Sequence, residues 1–516
     1  MLNLIIASNF NFLNGIGLNR PRFFLLASII VFAVLILLLT WNPSENSSSS
    51  VESPILLYCA AGIKPPVAEV AKNYETEYGY KVDIQYGGSG TLLNNLKVAS
   101  TGDLYIAADE SYIEIARQQN LVEETIPLAV MTPVIAVPKG NPKGIHSIQN
   151  LTDDNLKIAL GNPDAASIGK VSKKLLIKSG DWPAIKEQVT VFYPTVPEIA
   201  NSIKLGAIDA GIVWDTTVNQ YPELDLVRVP ELELGPQKTT IGVLKTARNP
   251  ATALRFARYL AARDRGLIQF NNYGYIPVSG DVWMEKPEIL FFSGGVNRLA
   301  IEQTIQQFEK REGIEITRVY NGCGILVAQI RTGEKPDAYF ACDVSFMTQV
   351  QSQFDNSTNI SETDIVILTK KNNPKQILNL SDLAQAELRL GVANADQSAL
   401  GDLTRKMLQS EGVYANIMKN VRVETPTADL LVNQLVVGPL DAVIVYEANC
   451  ANVLDDLELI RLNLSSAKAV QPIAIGRKSD HKYLISRLLE AIKSPQSKTT
   501  FESIGFRWIR NKNEGI

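Results

Sequence analysis

The sequence predicts two tandem copies of one α/β domain, preceded by a long apolar segment. Three observations lead to this prediction. Short apolar runs with strand and helix periodicity alternate along the chain, several motifs recur 232 to 234 residues apart, and the run Phe23–Thr40 is broken only by Ser28. Strands that alternate with helices are typical of mainly parallel sheets with helices on both faces. A chain of 516 residues also exceeds one ordinary core and suits two domains.

The apolar run has the length of a transmembrane helix. Arg20 and Arg22 precede it, and the next basic residue is Lys64. The positive-inside tendency therefore places residues 1–22 in the cytoplasm and the remainder beyond the inner membrane, in the periplasm or outside the cell. We expect residues 23–41 to form an uncleaved single-pass anchor. A cleaved signal peptide and a buried core helix are the alternatives.

A polar, Ser-rich linker over residues 42–53 has nothing to bury and is predicted to be a tether. The first domain, copy one, is expected over residues 54–284. Its helices are predicted to begin near Pro65 and Leu92. Its predicted strands are Ile55–Tyr58, Lys81–Tyr86, Leu104–Ala107, Val134–Val137, Lys157–Leu160 and Gly211–Trp214.

The second domain, copy two, is expected over residues 287–512 and repeats this order. A helix is predicted over Arg298–Glu312. The predicted strands are Ile289–Phe292, Glu315–Tyr320, Ile365–Leu368, Leu390–Ala393 and Ala442–Tyr446. The junction near residues 281–287 is short, so we expect the two copies to touch.

The repeat is clearest in a glycine-rich loop. Tyr86-Gly-Gly-Ser-Gly-Thr91 returns as Tyr320-Asn-Gly-Cys-Gly-Ile325. Other residues keep nearly the same separation: Asp109 and Asp343 are 234 residues apart, and Gly169 and Gly401, like Trp214 and Tyr446, are 232 apart. One motif can recur by chance, but four at a near-constant shift indicate a duplicated domain.

Each glycine-rich loop lies between a predicted strand and a predicted helix. This position directs free backbone N–H groups and the positive end of a helix dipole at one point, which favours an anion. Ser89 and Thr91 add hydroxyl groups in copy one. Neither Walker A nor GxGxxG spacing is present, so nucleotide binding is not expected. A plain structural turn is the alternative reading of such a loop.

Composition excludes other classes of function. Charged residues are 20% of the chain and the net charge is −4, without the basic stripe that nucleic-acid binding requires. The two histidines, His146 and His481, fall at unmatched places in the two copies. We therefore expect no histidine chemistry in the repeated design, no metal site and no cofactor.

The loops together resemble the periplasmic molybdate/tungstate-binding proteins of ABC importers, over residues 54–280 and again over 287–512. The resemblance rests on Tyr58-Cys-Ala-Ala-Gly62, Gly88-Ser-Gly-Thr91, Ile106-Ala-Ala-Asp109, the stretch from Gly161-Asn-Pro to Gly169, and Gly211-Ile-Val-Trp214. It implies two tandem two-lobed modules of the type 2 periplasmic-binding-protein fold. It also implies a small oxyanion as ligand, an ABC permease as partner and no enzymatic activity.

The resemblance implies five ligand-binding positions in each copy. In copy one they fall on Gly62, Ser89, Ile168, Val196 and Trp214. In copy two they fall on Gly295, Cys323, Leu400, Ala428 and Tyr446. The family has serine at the first two positions and tyrosine at the last, so copy one keeps Ser89 and copy two keeps Tyr446. None of these positions is basic, which fits recognition of a fully ionised anion by neutral dipoles rather than by an arginine fork.

Four cysteines are present: Cys59, Cys323, Cys342 and Cys450. Exported thiols tend to oxidise, and Cys323 and Cys342 both follow strands that end near the same predicted cleft, so a disulfide between them is one hypothesis. Burial as small residues is the alternative. A thiol enzyme using Cys59 or Cys323 is disfavoured because no histidine is placed to activate either thiol.

Two functions follow from the resemblance. The first is a membrane-anchored binding protein whose lobes close on molybdate, tungstate or a rival such as sulfate, with hinges predicted within Leu128–Val137 and Lys238–Leu244. The second is a tethered sensor or scaffold with the same fold that binds another small anion and is not coupled to transport.

Overall fold

A computed structural model describes residues 53–509 of the chain. The predicted cytoplasmic segment 1–22, the anchor 23–41 and the linker up to residue 52 lie outside the described residues, as do residues 510–512 at the end of copy two. Within residues 53–509, no helix has both the length and the apolar character needed to cross a membrane.

Copy one alternates strands and helices as expected. Its strands are β1 (Ile55–Ala60), β2 (Val82–Gly87), β3 (Leu104–Ala107), β4 (Val122–Met131), β5 (Pro133–Pro138), β6 (Ile158–Gly161), β7 (Val189–Tyr193), β8 (Ala210–Trp214), β9 (Leu224–Val227), β10 (Gln237–Leu244) and β11 (Ile276–Pro277). Its helices are α1 (Lys64–Tyr78), α2 (Ser89–Ala99), α3 (Glu110–Gln118), α4 (Ser167–Ser179), α5 (Trp182–Gln188), α6 (Val196–Lys204), α7 (Asp215–Val218), α8 (Pro230–Glu233), α9 (Pro250–Leu260) and α10 (Gly266–Asn272).

These strands form two sheets, and each sheet is the centre of one lobe. Lobe A has a six-stranded sheet in the order β11-β4-β10-β3-β1-β2, and lobe B has a five-stranded sheet in the order β7-β6-β8-β5-β9. The chain enters lobe B at Thr132, between β4 and β5, and returns between α8 and β10. The first predicted hinge segment, Leu128–Val137, therefore contains a crossing. The second was placed wrongly: Lys238–Leu244 lies within β10 and pairs with β3 and β4 of lobe A, so the return crossing precedes it.

Copy two repeats the arrangement. Its strands are β12 (Glu288–Gly294), β13 (Glu315–Asn321), β14 (Ala338–Phe340), β15 (Thr358–Lys370), β16 (Leu390–Ala393), β17 (Val421–Thr425), β18 (Ala442–Tyr446), β19 (Leu457–Arg461), β20 (Lys468–Ile475) and β21 (Arg507–Trp508). Its helices are α11 (Arg298–Glu312), α12 (Cys323–Arg331), α13 (Val344–Thr348), α14 (Ala399–Ser410), α15 (Tyr414–Met418), α16 (Ala428–Val436), α17 (Lys482–Ile492) and α18 (Pro495–Ser503).

One long strand runs through both lobes of copy two. Thr358–Asp364 of β15 pairs with β20 on the lobe A side, and Ile365–Thr369 pairs with β18 on the lobe B side. The two sheets are thereby joined into one ten-stranded sheet. The predicted strand Ile365–Leu368 is the lobe B half of this strand.

Local sequence explains where the main helices begin and end. The predicted helix Arg298–Glu312 matches α11, and α1 carries proline at its first positions, where the ring removes no helical hydrogen bond. Both helices end at a glycine in the left-handed conformation, Gly79 with φ 74° and Gly313 with φ 66°. The two matching ends show that the repeat extends to the helix caps.

The two copies touch, as the short junction predicts. Glu312 of copy two is buried and accepts hydrogen bonds from Arg258 of copy one (2.9 Å) and from Arg487 of its own copy (2.6 Å). Asp281, in the junction, accepts backbone hydrogen bonds from Tyr483 and Leu484 of copy two, both at 2.9 Å. These contacts join lobe A of copy one to the corresponding lobe of copy two. Any other arrangement of the two lobes would separate the members of the buried ion cluster and leave an uncompensated charge, so the cluster fixes how the lobes meet.

Candidate functional site

The five positions singled out in copy one lie around one cavity between the lobes. Gly62 and Ser89 come from lobe A, and Ile168, Val196 and Trp214 come from lobe B. All five are buried. The space they enclose is about 20 Å³, room for about one water molecule. The structure therefore brings together residues 152 positions apart in the sequence, counted from Gly62 to Trp214.

Three helices begin at this cavity. Ser89 is the first residue of α2, Ile168 the second of α4, and Val196 the first of α6. The first N–H groups of an α-helix have no partner within the helix, and the helix dipole adds partial positive charge there. The convergence of three such termini makes the cavity electropositive without any ionised side chain.

Ser89 connects the two lobes. Its Oγ accepts a hydrogen bond from the backbone N–H of Ala108 (3.2 Å) and one from the hydroxyl of Ser167 (2.8 Å), which lies in lobe B. The hydroxyl of Tyr105 donates to the carbonyl oxygen of Ser89 (2.7 Å) and holds the start of α2 in place. Sequence reasoning missed Ser167, although it directly precedes the predicted Ile168.

Gly62 lies in a turn of 3₁₀ helix that follows β1. Its carbonyl oxygen accepts a hydrogen bond from the buried hydroxyl of Tyr275 (2.8 Å). A Cβ placed on Gly62 would lie 3.5 Å from Cδ1 of Trp214 and 3.8 Å from Cβ of Val196, which are ordinary van der Waals distances. The site therefore has room for a side chain at this position.

Trp214 ends β8 and is completely buried, with 0% of its surface exposed. Its indole Nε1–H has no hydrogen-bond acceptor among residues 53–509. An indole can only donate, and a buried donor without an acceptor costs about 1–3 kcal/mol. The site thus contains one strong donor that the protein itself does not satisfy.

No charged side chain lines the cavity within the described part of the chain. Its lining is glycine, alanine, two serines, Thr195 and the apolar residues already named. Such a set can offer N–H and O–H donors but no carboxylate acceptor. It is suited to an anion that carries no proton of its own.

The lobes of copy one are in contact across the cleft. The N–H of Gly90 in lobe A donates to the carbonyl oxygen of Ala165 in lobe B (2.9 Å). A Cβ on Gly88 would overlap the carbonyl oxygens of Ala165 and Pro194, so glycine at this position is what permits the lobes to approach this closely. The structure is a closed form of this copy.

Copy two places four of its five predicted positions at the same points of the fold. Cys323, Leu400 and Ala428 lie at the starts of α12, α14 and α16, and Tyr446 ends β18. The hydroxyl of Tyr446 is buried without a hydrogen-bond partner among the described residues, and burial raises its pKa well above the ordinary value. Its lobes also touch, because Gly324 N–H donates to the carbonyl oxygen of Gln397 (3.0 Å).

The first-loop position of copy two needs a correction. Cys59 pairs with Tyr86 and Ser293 pairs with Tyr320, so the strand register makes Gly295 the counterpart of Ala61. The counterpart of Gly62 is the next residue, Val296, which is buried. The sequence match slipped by one residue because a glycine was present in both loops.

Two features make the cleft of copy two different. The thiol of Cys323 stands where copy one has the hydroxyl of Ser89, and its Sγ lies 2.7 Å from the Sγ of Cys342. Both cysteines are present as thiols. A carboxylate also stands at its edge, because Oδ2 of Asp429 lies 3.9 Å from where a Cβ on Gly295 would be. The matching residue of copy one is Pro197, which is uncharged.

Two further kinds of site, a thiol nucleophile at Cys59 and a metal site, were considered in the sequence and neither was predicted. Cys59 is buried, burial raises its pKa, and among the described residues its thiol donates a hydrogen bond only to the carbonyl oxygen of Ala60 (3.5 Å). No group of three or more His, Cys, Asp or Glu residues able to hold a metal occurs within residues 53–509. A thiol nucleophile at Cys59 therefore has neither a base nor a lowered pKa.

Three curated relatives each match a little less than half of this chain. A protein of Haemophilus influenzae described as a binding protein is 28% identical over 224 residues, which cover 43% of this chain and 91% of the relative. The protein YvgL of Bacillus subtilis, described as a substrate-binding lipoprotein of an ABC transporter, is 26% identical over 48% of this chain and 97% of its own length. The molybdate-binding protein ModA of Escherichia coli is 21% identical over 43% of this chain and 89% of its own length.

The family model of bacterial extracellular solute-binding proteins matches the chain twice, over residues 55–275 and 289–507. The two matches coincide with the two α/β copies and leave out the junction between them. The chain therefore belongs to the bacterial extracellular solute-binding proteins and carries two tandem domains of that family.

Proposed function

We propose that this protein is a membrane-anchored solute-binding protein that takes a small, fully ionised oxyanion, such as molybdate or tungstate, in the cleft of copy one. The observation that carries this proposal is the buried Nε1–H of Trp214, which lacks an acceptor at the point where three helices begin. An anion oxygen there would accept from the indole and from backbone N–H groups together.

The ligand class follows from the lining of the cavity. A protonated anion such as hydrogen phosphate brings its own O–H donor, which would find no carboxylate to accept it. Molybdate, tungstate and sulfate are dianions without protons at neutral pH, so they match a set of donors. The relationship to ModA favours molybdate among them, and sulfate is the main rival.

The binding step would be closure of the lobes on the anion. In the closed form the cavity holds about 20 Å³, which is too small for a tetrahedral oxyanion. The anion would therefore occupy the place where Ser167 now donates to Ser89, and Ser89 would turn its own hydroxyl toward the ligand. Motion at Thr132 and at the return crossing near residue 236 would open the cleft.

The membrane attachment and the transport partner are part of the same proposal. The apolar run at residues 23–41 would hold both copies outside the cytoplasm, and an ABC permease would receive the anion, as the relationship to YvgL favours. A tethered sensor or scaffold is the second candidate. The buried Arg258–Glu312–Arg487 cluster supports it, because it joins the two copies through buried ion pairs, which a protein that only delivers a ligand would not require.

Binding is tested by calorimetric titration of the purified full-length chain with molybdate, tungstate, sulfate and phosphate. We expect molybdate and tungstate to bind and phosphate not to bind. Binding of sulfate is compatible with the same site. Trp214→Phe, which removes the N–H and keeps an aromatic ring, should weaken binding about tenfold or more, since hydrogen bonds to charged groups contribute about 1.5–3 kcal/mol. Tyr446→Phe in copy two is the matched control and should leave the affinity unchanged.

Two results would count against the proposal. If none of the four anions binds, or if Trp214→Phe binds as tightly as the parent chain, the cavity of copy one is not an anion site.

Transport and sensing are separated by a second measurement. Anion-dependent stimulation of ATP hydrolysis by a co-purified permease and ATPase supports transport, and its absence with anion binding intact supports the sensor.

A further inference from the structure

The cleft of copy two contains a pair of thiols where copy one has a hydroxyl. Cys323 occupies the position of Ser89 at the start of its helix, and Cys342 occupies the position of Ala108. The N–H of Cys342 donates to Cys323 Sγ (3.0 Å), just as the N–H of Ala108 donates to Ser89 Oγ (3.2 Å). The sulfur of Cys323 thus lies at the point that the hydroxyl of Ser89 occupies in copy one.

The second thiol is accommodated by a third difference between the copies. The last residue of the first strand is Ala60 in copy one and Gly294 in copy two. A Cβ on Gly294 would overlap Cys342 Sγ, so the glycine makes the space that this sulfur fills. Three linked differences indicate a built dithiol rather than two isolated substitutions.

The other two cysteines show no such arrangement. Among the described residues, Cys59 Sγ and Cys450 Sγ each donate a hydrogen bond only to a nearby backbone carbonyl oxygen, both at 3.5 Å. The sulfur atoms of Cys323 and Cys342 lie 2.7 Å apart, close enough to bond after a small side-chain rotation. Burial raises the pKa of Cys323, but hydrogen bonds from Cys342 outweigh it and lower that pKa, whereas the pKa of Cys342 is raised, so Cys323 is the more readily ionised thiol of the pair.

The pair also lies at the boundary between the lobes. Cys323 stands between Gly322 and Gly324, and a Cβ on either glycine would overlap backbone carbonyl oxygens of lobe B, among them that of Gln397. Opening of this cleft would therefore expose the thiols to a small reagent. The carboxylate of Asp429 at the edge of the cleft makes the same place unfavourable for a dianion.

We propose that Cys323 and Cys342 form a reversible disulfide and that the cleft of copy two is a thiol–disulfide site instead of an anion site. The reaction partner is a small disulfide such as oxidised glutathione. The thiolate of Cys323 attacks one sulfur of that disulfide and releases one glutathione as thiolate. The thiolate of Cys342 then attacks Cys323 Sγ and releases the second glutathione.

The reaction balances within these groups. One Cys323–Cys342 bond forms and one glutathione disulfide bond breaks, so two protein thiols are oxidised and one disulfide is reduced. The two protons of the protein thiols end on the two released glutathione molecules. The proposal concerns copy two alone and does not depend on anion binding by copy one.

The test uses the full-length chain incubated with oxidised glutathione, then denatured, alkylated and mapped by mass spectrometry without reduction. We expect a cross-linked peptide pair containing Cys323 and Cys342, lighter by two hydrogens than its reduced form, while Cys59 and Cys450 are fully alkylated. Native protein treated with a small dithiol should recover both thiols. The double variant C323S/C342A carries the residues that copy one has at these two positions. It should form no cross-link, and its Cys59 and Cys450 should be alkylated as fully as in the parent chain.

Three outcomes would overturn the proposal. One is alkylation of Cys323 and Cys342 to the same extent as Cys59 and Cys450. Another is a stable mixed disulfide with glutathione at either residue. The third is a cross-link that a dithiol reduces only after denaturation, because that result describes a fixed structural bond. The parent chain itself supplies all three measurements, so poor folding of the double variant would not weaken the test.

Discussion

Replacing Gly62 with serine should tighten anion binding by copy one. The backbone at Gly62 needs no left-handed conformation, and a Cβ there would lie 3.5–3.9 Å from Trp214 and Val196, so the side chain fits without displacing its neighbours. The new hydroxyl would begin at the wall of the cavity and could donate to the anion. A hydrogen bond to a charged group is worth about 1.5–3 kcal/mol, which corresponds to about 10- to 140-fold in affinity.

Calorimetric titration with molybdate measures this change directly. Gly62→Ala is the matched control, because it adds the Cβ without the hydroxyl and should leave the dissociation constant within about threefold of the parent value, the usual scatter of such contacts. Val296→Ser, at the corresponding position of copy two, should create no second site. An unchanged dissociation constant for Gly62→Ser, with an unchanged melting temperature, would refute the placement of the anion in this cavity.

Other changes test closure and the contact between copies. Gly88→Ala should weaken anion binding by about tenfold or more. The added methyl group collides with lobe B only in the closed cleft, so the substitution lowers the population of the closed form. Gly322→Ala, the counterpart in copy two, should not change the affinity in the same titration. Glu312→Gln should lower the urea midpoint by an amount equivalent to about 3–5 kcal/mol, since it leaves two buried arginines uncompensated; an effect no larger than that of the exposed Glu315→Gln would contradict this reasoning. Acid should destabilise the protein through the same carboxyl group. Burial raises the pKa of Glu312, but the two arginines outweigh burial and lower it, so the stabilisation by Glu312 is complete above about pH 4.3 and is lost as the pH falls through the lowered pKa of the folded state. Urea midpoints measured against pH should show this loss in the parent chain and not in Glu312→Gln.

Much of the fold could be predicted because each copy is built from local patterns. Apolar runs marked the strands, and Leu104–Ala107, Leu390–Ala393 and Ala442–Tyr446 have the predicted bounds. The five positions of copy one converge because strands of a parallel sheet end at one edge and the helices that follow begin there. That these residues bind a ligand stays a prediction.

Other features depend on contacts that no local pattern reveals. Ser167 matters because it reaches Ser89 across the closed cleft, 78 residues away in the chain. Glu312 contacts Arg258 and Arg487, which are 54 and 175 residues away in the chain. Because both partners are so distant, the burial of Glu312 could not be predicted from the polar sequence of its own helix. Gly295 was matched one residue too early, because two adjacent glycines left the register of the first loop undetermined until the strand pairing fixed it.

The central claim is that copy one alone holds the anion. Titration of the full-length chain with molybdate, in the parent and in the C323S/C342A variant, tests it most directly through the number of anions bound. We predict one anion per chain in both proteins, and a loss of this binding in Ser89→Ala combined with Trp214→Phe. Two anions per chain in the parent, or one that survives the combined change in copy one, would contradict the claim.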